Sequence, residues 1–368
     1  MKPFSLLIKP ASADCNMNCH YCFYLEKSSL YPDQKVHRMD EATLERMISS
    51  YMETEQSCYT FGWQGGEPTL MGLDFFKSVV KMQQKYGRPR SMVTNGLQTN
   101  ASLIDEPFAK HLAEYKFLLG VSLDGPEHIH DHYRKLQGGQ GTFGRVMKGI
   151  DILRENNVEF NILVLVNDFN VRKVREIYDF LVKNGFYFHQ YIPCIEFDDE
   201  GRLEQFSING EQWGNFLIEL FNQWYPGDIH KVSIRFFDSV LNYLVQGRST
   251  ICHMENNCNQ YFVVEYNGDI YPCDFFVRED LKLGNINSCS WDELLESGIY
   301  RDFGSAKKEY SFICRSCKYL DLCHGDCLKH RAFSPDNEKK LSTLCSGWKM
   351  FYQRSLPVFK NIASNIRI

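Results

Sequence analysis

The chain has 368 residues, of which 43% are hydrophobic, 14% aromatic and 24% charged. That composition supports a large buried core and excludes a wholly disordered chain, which carries few aromatic residues. A formal charge of −5 advertises no basic surface for nucleic acid, and no apolar run reaches the roughly 18 residues of a membrane-spanning helix. The N-terminal apolar stretch Phe4–Ile8 stops at Lys9 and Pro10. A secretory core needs about 7–15 apolar residues, so the expectation is a cytoplasmic protein.

Residues 4–9, 58–63, 90–94, 117–122, 158–166 and 185–192 are short and β-rich, and read as strands. Between them, 40–52, 73–84, 103–115, 142–155 and 170–184 carry helical periodicity. Asp40 is placed as an N-cap, with Leu44, Met47, Ile48 and Tyr51 on one face. Such βα alternation predicts an α/β fold with parallel strands under covering helices, as an open barrel or a doubly wound sheet. Either form puts the chemistry at the C-terminal ends of the strands. Two further helical patterns flank Val232–Phe237. From 247 the texture changes, so the expected division is 1–246 followed by a small metal- or cluster-stapled module, 247–368.

Fourteen cysteines are then the main fact. In a reducing compartment clustered thiols point to metal or cluster ligation rather than disulfides. Cys15-x3-Cys19-x2-Cys22, followed by Phe23-Tyr24, lies just past the first strand. Three thiolates there can hold three irons of a [4Fe–4S] cluster and leave the fourth iron open; a zinc site is the alternative. The second group is Cys258, Cys273, Cys314-x2-Cys317-x5-Cys323-x3-Cys327 and Cys345, with Cys252 as an eighth thiol. Eight thiolates suffice for two fully ligated clusters, or for two zinc sites; spacing alone does not pair them. Asn267-Gly268 reads as a hairpin turn. Cys58 and Cys194 read as packed thiols and Cys289 as a helix-start residue. The alternating run His128, His130, His132 reads as a solvated polar stretch rather than a metal site.

The three-cysteine loop, with Gln64-Gly65-Gly66-Glu67-Pro68 one strand later, resembles the radical S-adenosylmethionine (SAM) superfamily. The resemblance implies a partial (β/α)6 radical SAM barrel. It also implies that the GGEP segment receives the methionine amine, through Glu67 or exposed carbonyls, with glycines letting the backbone approach. The later cysteines resemble a SPASM module. By that resemblance Cys252, Cys258, Cys273 and Cys327 hold one auxiliary cluster, and Cys314, Cys317, Cys323 and Cys345 the other. Three [4Fe–4S] clusters and SAM are the implied cofactors.

Within the superfamily, LLIKPASADCNMNCHYCFYLEK, WQGGEPTLMGLDFF, NGLQTN, VSLDGPEHIHDHYR and YPCDFF are similar to anaerobic sulfatase-maturating enzymes. One departure is Ala101, where the family often has glycine after QTN. The family oxidises a sulfatase Cys or Ser to Cα-formylglycine within an unfolded Cys/Ser-x-Pro/Ala-x-Arg segment, and draws on an electron donor such as flavodoxin or ferredoxin. Residue by residue, SAM contacts are implied at Tyr21, Gly66, Ser122, Arg134 and Ile195. Without the family, Ser122 reads as a turn serine and Arg134 as a surface arginine. Asp274, directly after Cys273, is implied as general base, shielded by Phe275 and Phe276; otherwise it reads as a turn aspartate. A maturase of another ribosomal peptide shares every motif. A zinc or electron-carrier module without SAM chemistry is the reading from a different class.

Overall fold

The computed structural model describes residues 3–331 and 341–366. All six expected strands form, as β1 (Ser5–Lys9), β2 (Cys58–Trp63), β3 (Met92–Thr99), β4 (Leu118–Ser122), β5 (Phe160–Val166) and β6 (Phe188–Pro193). Their helices follow as α1 (Glu41–Glu53), α2 (Gly72–Tyr86), α3 (Glu106–Glu114), α4 (Glu127–Tyr133), α5 (Phe143–Glu155) and α6 (Val174–Lys183). Asp40 caps α1 as its sequence position suggests, its Oδ1 accepting from Thr43 N at 2.7 Å. β3 runs five residues past the expected end at Thr94, because Asn95–Thr99 keeps pairing with β2 or β4.

The chain divides into two compact units. The first comprises Met1–Ser122, Tyr133–Phe160 and Asn259–Gly304. Here β1, β2, β3 and β4 pair in parallel. On the other side of β1 lies β8 (Tyr261–Glu265), also parallel, with Lys9 opposite Glu265. β9 (Asp269–Tyr271) and β10 (Gly284–Asn285) extend the sheet antiparallel. The Asn267–Gly268 hairpin joins β8 to β9, with Gly268 N donating to Glu265 O at 2.9 Å. Tyr51, Tyr59, Phe61, Trp63 and Phe76 are fully buried and fill the core of this unit. The units thus cut across the expected 246/247 division. Residues 259–304 join the N-terminal strands because β8 supplies the partner that β1 would otherwise lack as an edge.

The second unit comprises Leu123–His132, Asn161–Cys258 and Ser305–Ile368. β5, β6 and β7 (Ser233–Ile234) pair in parallel. α7 (Gly210–Trp224), α8 (Arg235–Gln246) and the C-terminal helix Cys345–Asn365 pack through Trp213, Phe221, Phe237, Trp348 and Phe351. Among the described residues no helix is long and apolar enough to cross a membrane.

Candidate active site

The loop from Pro10 to Cys22 leaves the C-terminal end of β1 and is held by main-chain bonds. Asn18 N donates to Lys135 O at 2.8 Å and His20 N to Tyr133 O at 3.3 Å. Gly66 N donates to Ser12 O at 2.7 Å, and Glu67 N to Asp14 O at 2.8 Å. The GGEP segment therefore straps the approach to Cys15. A side chain at Gly66 would run into the Asp14 carbonyl, so the chain itself already demands glycine there.

Glu67 does not offer itself to an ammonium. It is 1% exposed, and its carboxylate accepts from Thr69 N, Thr69 Oγ1, Thr99 Oγ1 and Asn100 N at 2.7–3.0 Å. Burial raises its pKa and those donors pull it back. Glu67 is an anchor that ties the loop to the end of β3, which corrects the sequence reading.

Burial pushes the Cys15 thiol up to about 12, and Glu67, Cys19 and Cys22 add to the shift. The three thiols thus share one field. Met17 N donates to Cys15 Sγ at 3.4 Å, and Asn100 Nδ2 points at it from 3.9 Å. A protonated thiol set of this kind becomes a ligand set when a cation displaces the protons, so the donors fit an iron–sulfur cluster.

Of the implied SAM contacts, Tyr21 and Arg134 meet: the guanidinium carbon lies 5.5 Å from the ring centroid. Both are buried, so Arg134 is not the solvated arginine that sequence alone suggests. Ser122 ends β4, and its Oγ accepts from Gln98 Nε2 at 3.0 Å. Gly66 lies on the strap just described. Ile195 is buried in the second unit, two residues beyond β6.

Asp274 is a buried carboxylate of the first unit held from three sides. It is 5% exposed and opens a short helical turn, Asp274–Phe276. Lys9 Nζ lies 2.6 Å from its Oδ1. Tyr24 Oη donates to Oδ2 at 2.6 Å, and Gln64 Nε2 donates to the same oxygen at 3.1 Å. Glu265, facing Lys9 across the β1–β8 pairing, places a second carboxylate 3.7 Å from the ammonium. Burial raises the Glu265 carboxyl, and Lys9 draws it back. Burial also lifts the Tyr24 hydroxyl well above the usual tyrosine range, with Asp274 adding to it, so Tyr24 stays a donor. Phe275 packs on Phe23 and Phe276 on Phe303, both half-buried. Asp274 does not serve the hairpin backbone.

Sequence reasoning missed Lys9, Glu265 and the roles of Tyr24 and Gln64. The available signal was a lysine at the inward end of an apolar strand. A fully buried lysine requires a carboxylate partner.

In the second unit, Cys314, Cys317, Cys323 and Cys345 line one pocket, with Ile313, Leu320 and Trp348 among its apolar walls. Four thiols in an apolar chamber fit a fully ligated cluster. Cys252 and Cys258 lie in each other's field, Cys258 being raised first by burial. Cys273, in the first unit, has Tyr261 Oη 3.7 Å from its sulfur. Cys327 follows a buried aspartate and accepts at its carbonyl from His330 N.

Cys194 is buried and Cys58 sits in β2. Cys289 immediately precedes the Ser290 cap of a short helix. His130 is fully buried, its Nδ1 3.4 Å from Asp124 N, while His132 stacks on Phe169 at 3.6 Å. Of that histidine run only His130 is packed, while His128 and His132 stay exposed as expected. Among the described residues no group of three or more His, Cys, Asp or Glu is arranged to hold a single metal ion, in contrast to the wider ligand set of a cluster.

The chain matches the Radical SAM superfamily over residues 10–181 and an iron-sulfur cluster-binding domain over 252–318. With the three-thiol loop at the end of β1 and the thiol-lined cavity, these matches define an iron–sulfur, SAM-dependent radical enzyme with a partial barrel and a Cys-rich module. The chain is 37% identical over 371 residues to the cysteine-type anaerobic sulfatase-maturating enzyme of Clostridium perfringens strain 13, covering 100% of each. It is 36% identical over 374 residues to the serine-type enzyme of Bacteroides thetaiotaomicron, covering 97% of this chain and 90% of that one. The solved structure of anSMEcpe with bound AdoMet and Cp18Cys peptide matches with a TM-score of 0.92 at 37% identity, over 99% of this chain and 100% of that one. The chain belongs to the anaerobic sulfatase-maturating enzymes. SuiB of Streptococcus suis, at a TM-score of 0.65 and 16% identity over 93% of this chain and 77% of that one, shares the fold.

Proposed function

We propose that this enzyme oxidises a Cys or Ser side chain of a sulfatase to Cα-formylglycine, with Asp274 as general base. The observation that carries the reading is the fixed carboxylate of Asp274, held by Lys9, Tyr24 and Gln64 directly after Cys273. The similarity to Cys-type and Ser-type relatives, one solved with a bound peptide, supports the substrate class. Cys15, Cys19 and Cys22 would hold the first [4Fe–4S] cluster, beside SAM contacts at Tyr21, Gly66, Ser122, Arg134 and Ile195. Cys252, Cys258, Cys273 and Cys327 would hold a second, and Cys314, Cys317, Cys323 and Cys345 a third.

When bound, the iron–sulfur and SAM groups supply removal of a Cβ hydrogen atom and take up one electron. Asp274 takes the remaining proton from the thiol or hydroxyl. Side-chain carbon then carries a C=S or C=O bond, and water replaces sulfur in the Cys case with loss of hydrogen sulfide. Tyr24 and Gln64 fix the Oδ2 lone pairs by donating to them. Lys9 lies between two carboxylates and fixes the Oδ1 side of Asp274, which leaves Oδ2 as the oxygen set by Tyr24 and Gln64. Phe275 and Phe276 restrict water at the turn.

The substrate would be an unfolded segment carrying Cys/Ser-x-Pro/Ala-x-Arg, and the electrons would come from a flavodoxin- or ferredoxin-type donor in the cytoplasm. In functional terms residues 1–246 handle SAM, and 247–368 carry the auxiliary clusters. The test is Asp274→Asn, assayed anaerobically on a Cys-x-Pro-x-Arg peptide with SAM and reductant. Formylglycine, read by mass spectrometry, should fall by at least about a hundredfold. Iron content and SAM cleavage should hold. Near wild-type product would remove Asp274 from the role.

A further inference from the structure

The three residues between Cys323 and Cys327 are all left-handed: His324 at φ 44°, Gly325 at 70° and Asp326 at 66°. Two of them carry side chains, so this backbone needs outside support. Asp326 N closes the turn onto Cys323 O at 2.7 Å.

Arg331 supplies the support. It is 3% exposed, and its guanidinium donates to four carbonyls. Nε meets Gly325 O at 2.6 Å, and Nη2 meets His324 O at 2.5 Å and Asp326 O at 3.0 Å. Nη1 reaches Lys307 O at 3.0 Å. The planar fork thus engages every carbonyl of the left-handed run. A Cβ at Gly325 would come within 2.8 Å of the guanidinium carbon, so that glycine is shaped to the arginine.

The turn that this cation clamps joins Cys323 to Cys327, one thiol from each of the two assigned groups. Arginine keeps its charge at any working pH. Positive charge beside a cluster favours its reduced, more negative form.

We infer that Arg331 is a positioning residue that clamps the Cys323–Cys327 turn and, as a fixed buried cation, holds the auxiliary clusters at raised reduction potential. The inference rests on the assignment of those thiols to two clusters. Its consequence is that electrons leaving the substrate meet acceptors biased to receive them.

The test compares anaerobically reconstituted holoenzyme carrying Arg331→Met or Arg331→Lys with the unaltered chain. Three quantities are read: iron content, auxiliary-cluster potentials by EPR-monitored titration, and hydrogen exchange of the 323–327 amides. Arg331→Met should lower the potentials and speed exchange by at least about tenfold. Arg331→Lys keeps the charge and loses the fork, so it should exchange fast with potentials near those of the unaltered chain. Full iron with unmoved potentials and unmoved exchange in Arg331→Met overturns the inference. If Arg331→Met fails to load its iron, Arg331→Lys decides: fast exchange supports the clamp, and full protection overturns it. Only about four irons in the unaltered chain would instead overturn the cluster assignment, and this inference with it.

Discussion

Cys15 in the first unit and four thiols of the second differ in the charged groups that act on them. At Cys15 the largest influences beyond burial are the Glu67 carboxylate, Cys19 and Cys22 on one side and the Met17 amide on the other. In the second unit, burial at Cys258, Cys314, Cys323 and Cys345 is opposed each time by a cation, Lys307 or Arg331 for the first three and Lys349 for Cys314 and Cys345, while the Asp326 carboxylate adds to burial at Cys323 and Cys345. Anionic surroundings make a cluster harder to reduce and a stronger donor once reduced; cationic surroundings make it an acceptor.

The largest effect should come from Cys15, Cys19 and Cys22 replaced together by Ala. SAM cleavage should vanish, and iron should fall from about twelve to about eight per chain. Loss of all iron would show that the two groups load together and would break the contrast. Next in size is Lys9→Met. It strands Asp274 and Glu265 without their shared ammonium, and breaking a buried pair from one side costs about 3–5 kcal/mol. Anaerobic chemical denaturation measures that loss, and a change below about 1 kcal/mol would mean that the triad contributes little.

Glu67→Gln sharpens the comparison directly. The amide keeps an oxygen for Thr69 and Thr99 but turns an NH₂ group toward Asn100 N, which now has no acceptor. A stranded buried donor costs about 1–3 kcal/mol. Loss of the negative charge should also move the first cluster's potential upward and leave the auxiliary ones in place. A potential that does not move would mean that Glu67 acts on this loop through hydrogen bonds alone.

Much of this arrangement is legible in the chain. The strands of the βα series announce themselves by composition, Asp40 by its place before an apolar stripe, and the hairpin by Asn267-Gly268, because each rests on neighbours in sequence. The cysteine groups are equally plain. What local pattern cannot give is pairing across long separations. Lys9 meets Glu265 and Asp274 only because β1 and β8 pair in parallel, and that pairing also moves 259–304 out of the module expected from 247 onward. Glu67 looks like a ligand in its motif. Only the folded end of β3 shows its lone pairs already taken.

The smallest expected effect concerns Ala101, the one position where the loop motif departs from glycine. Ala101 is fully buried at φ 59°, next to Asn100, whose N–H holds Glu67 and whose Nδ2 reaches toward Cys15. Left-handed backbone costs an alanine about 1–2 kcal/mol, which glycine would recover. Against that, glycine gives up about 0.5–1 kcal/mol in unfolded-state entropy. The lost buried methyl costs about 0.8 kcal/mol more. The contributions nearly cancel, so Ala101→Gly should change stability by no more than about 0.5 kcal/mol. Ala109→Gly is the control, since Ala109 is equally buried but lies in the middle of α3. With no left-handed strain to relieve, it should lose about 1.5–2 kcal/mol. If the two variants fall equally, Ala101 carries no strain, and the strap on the Cys15 loop is held without backbone cost.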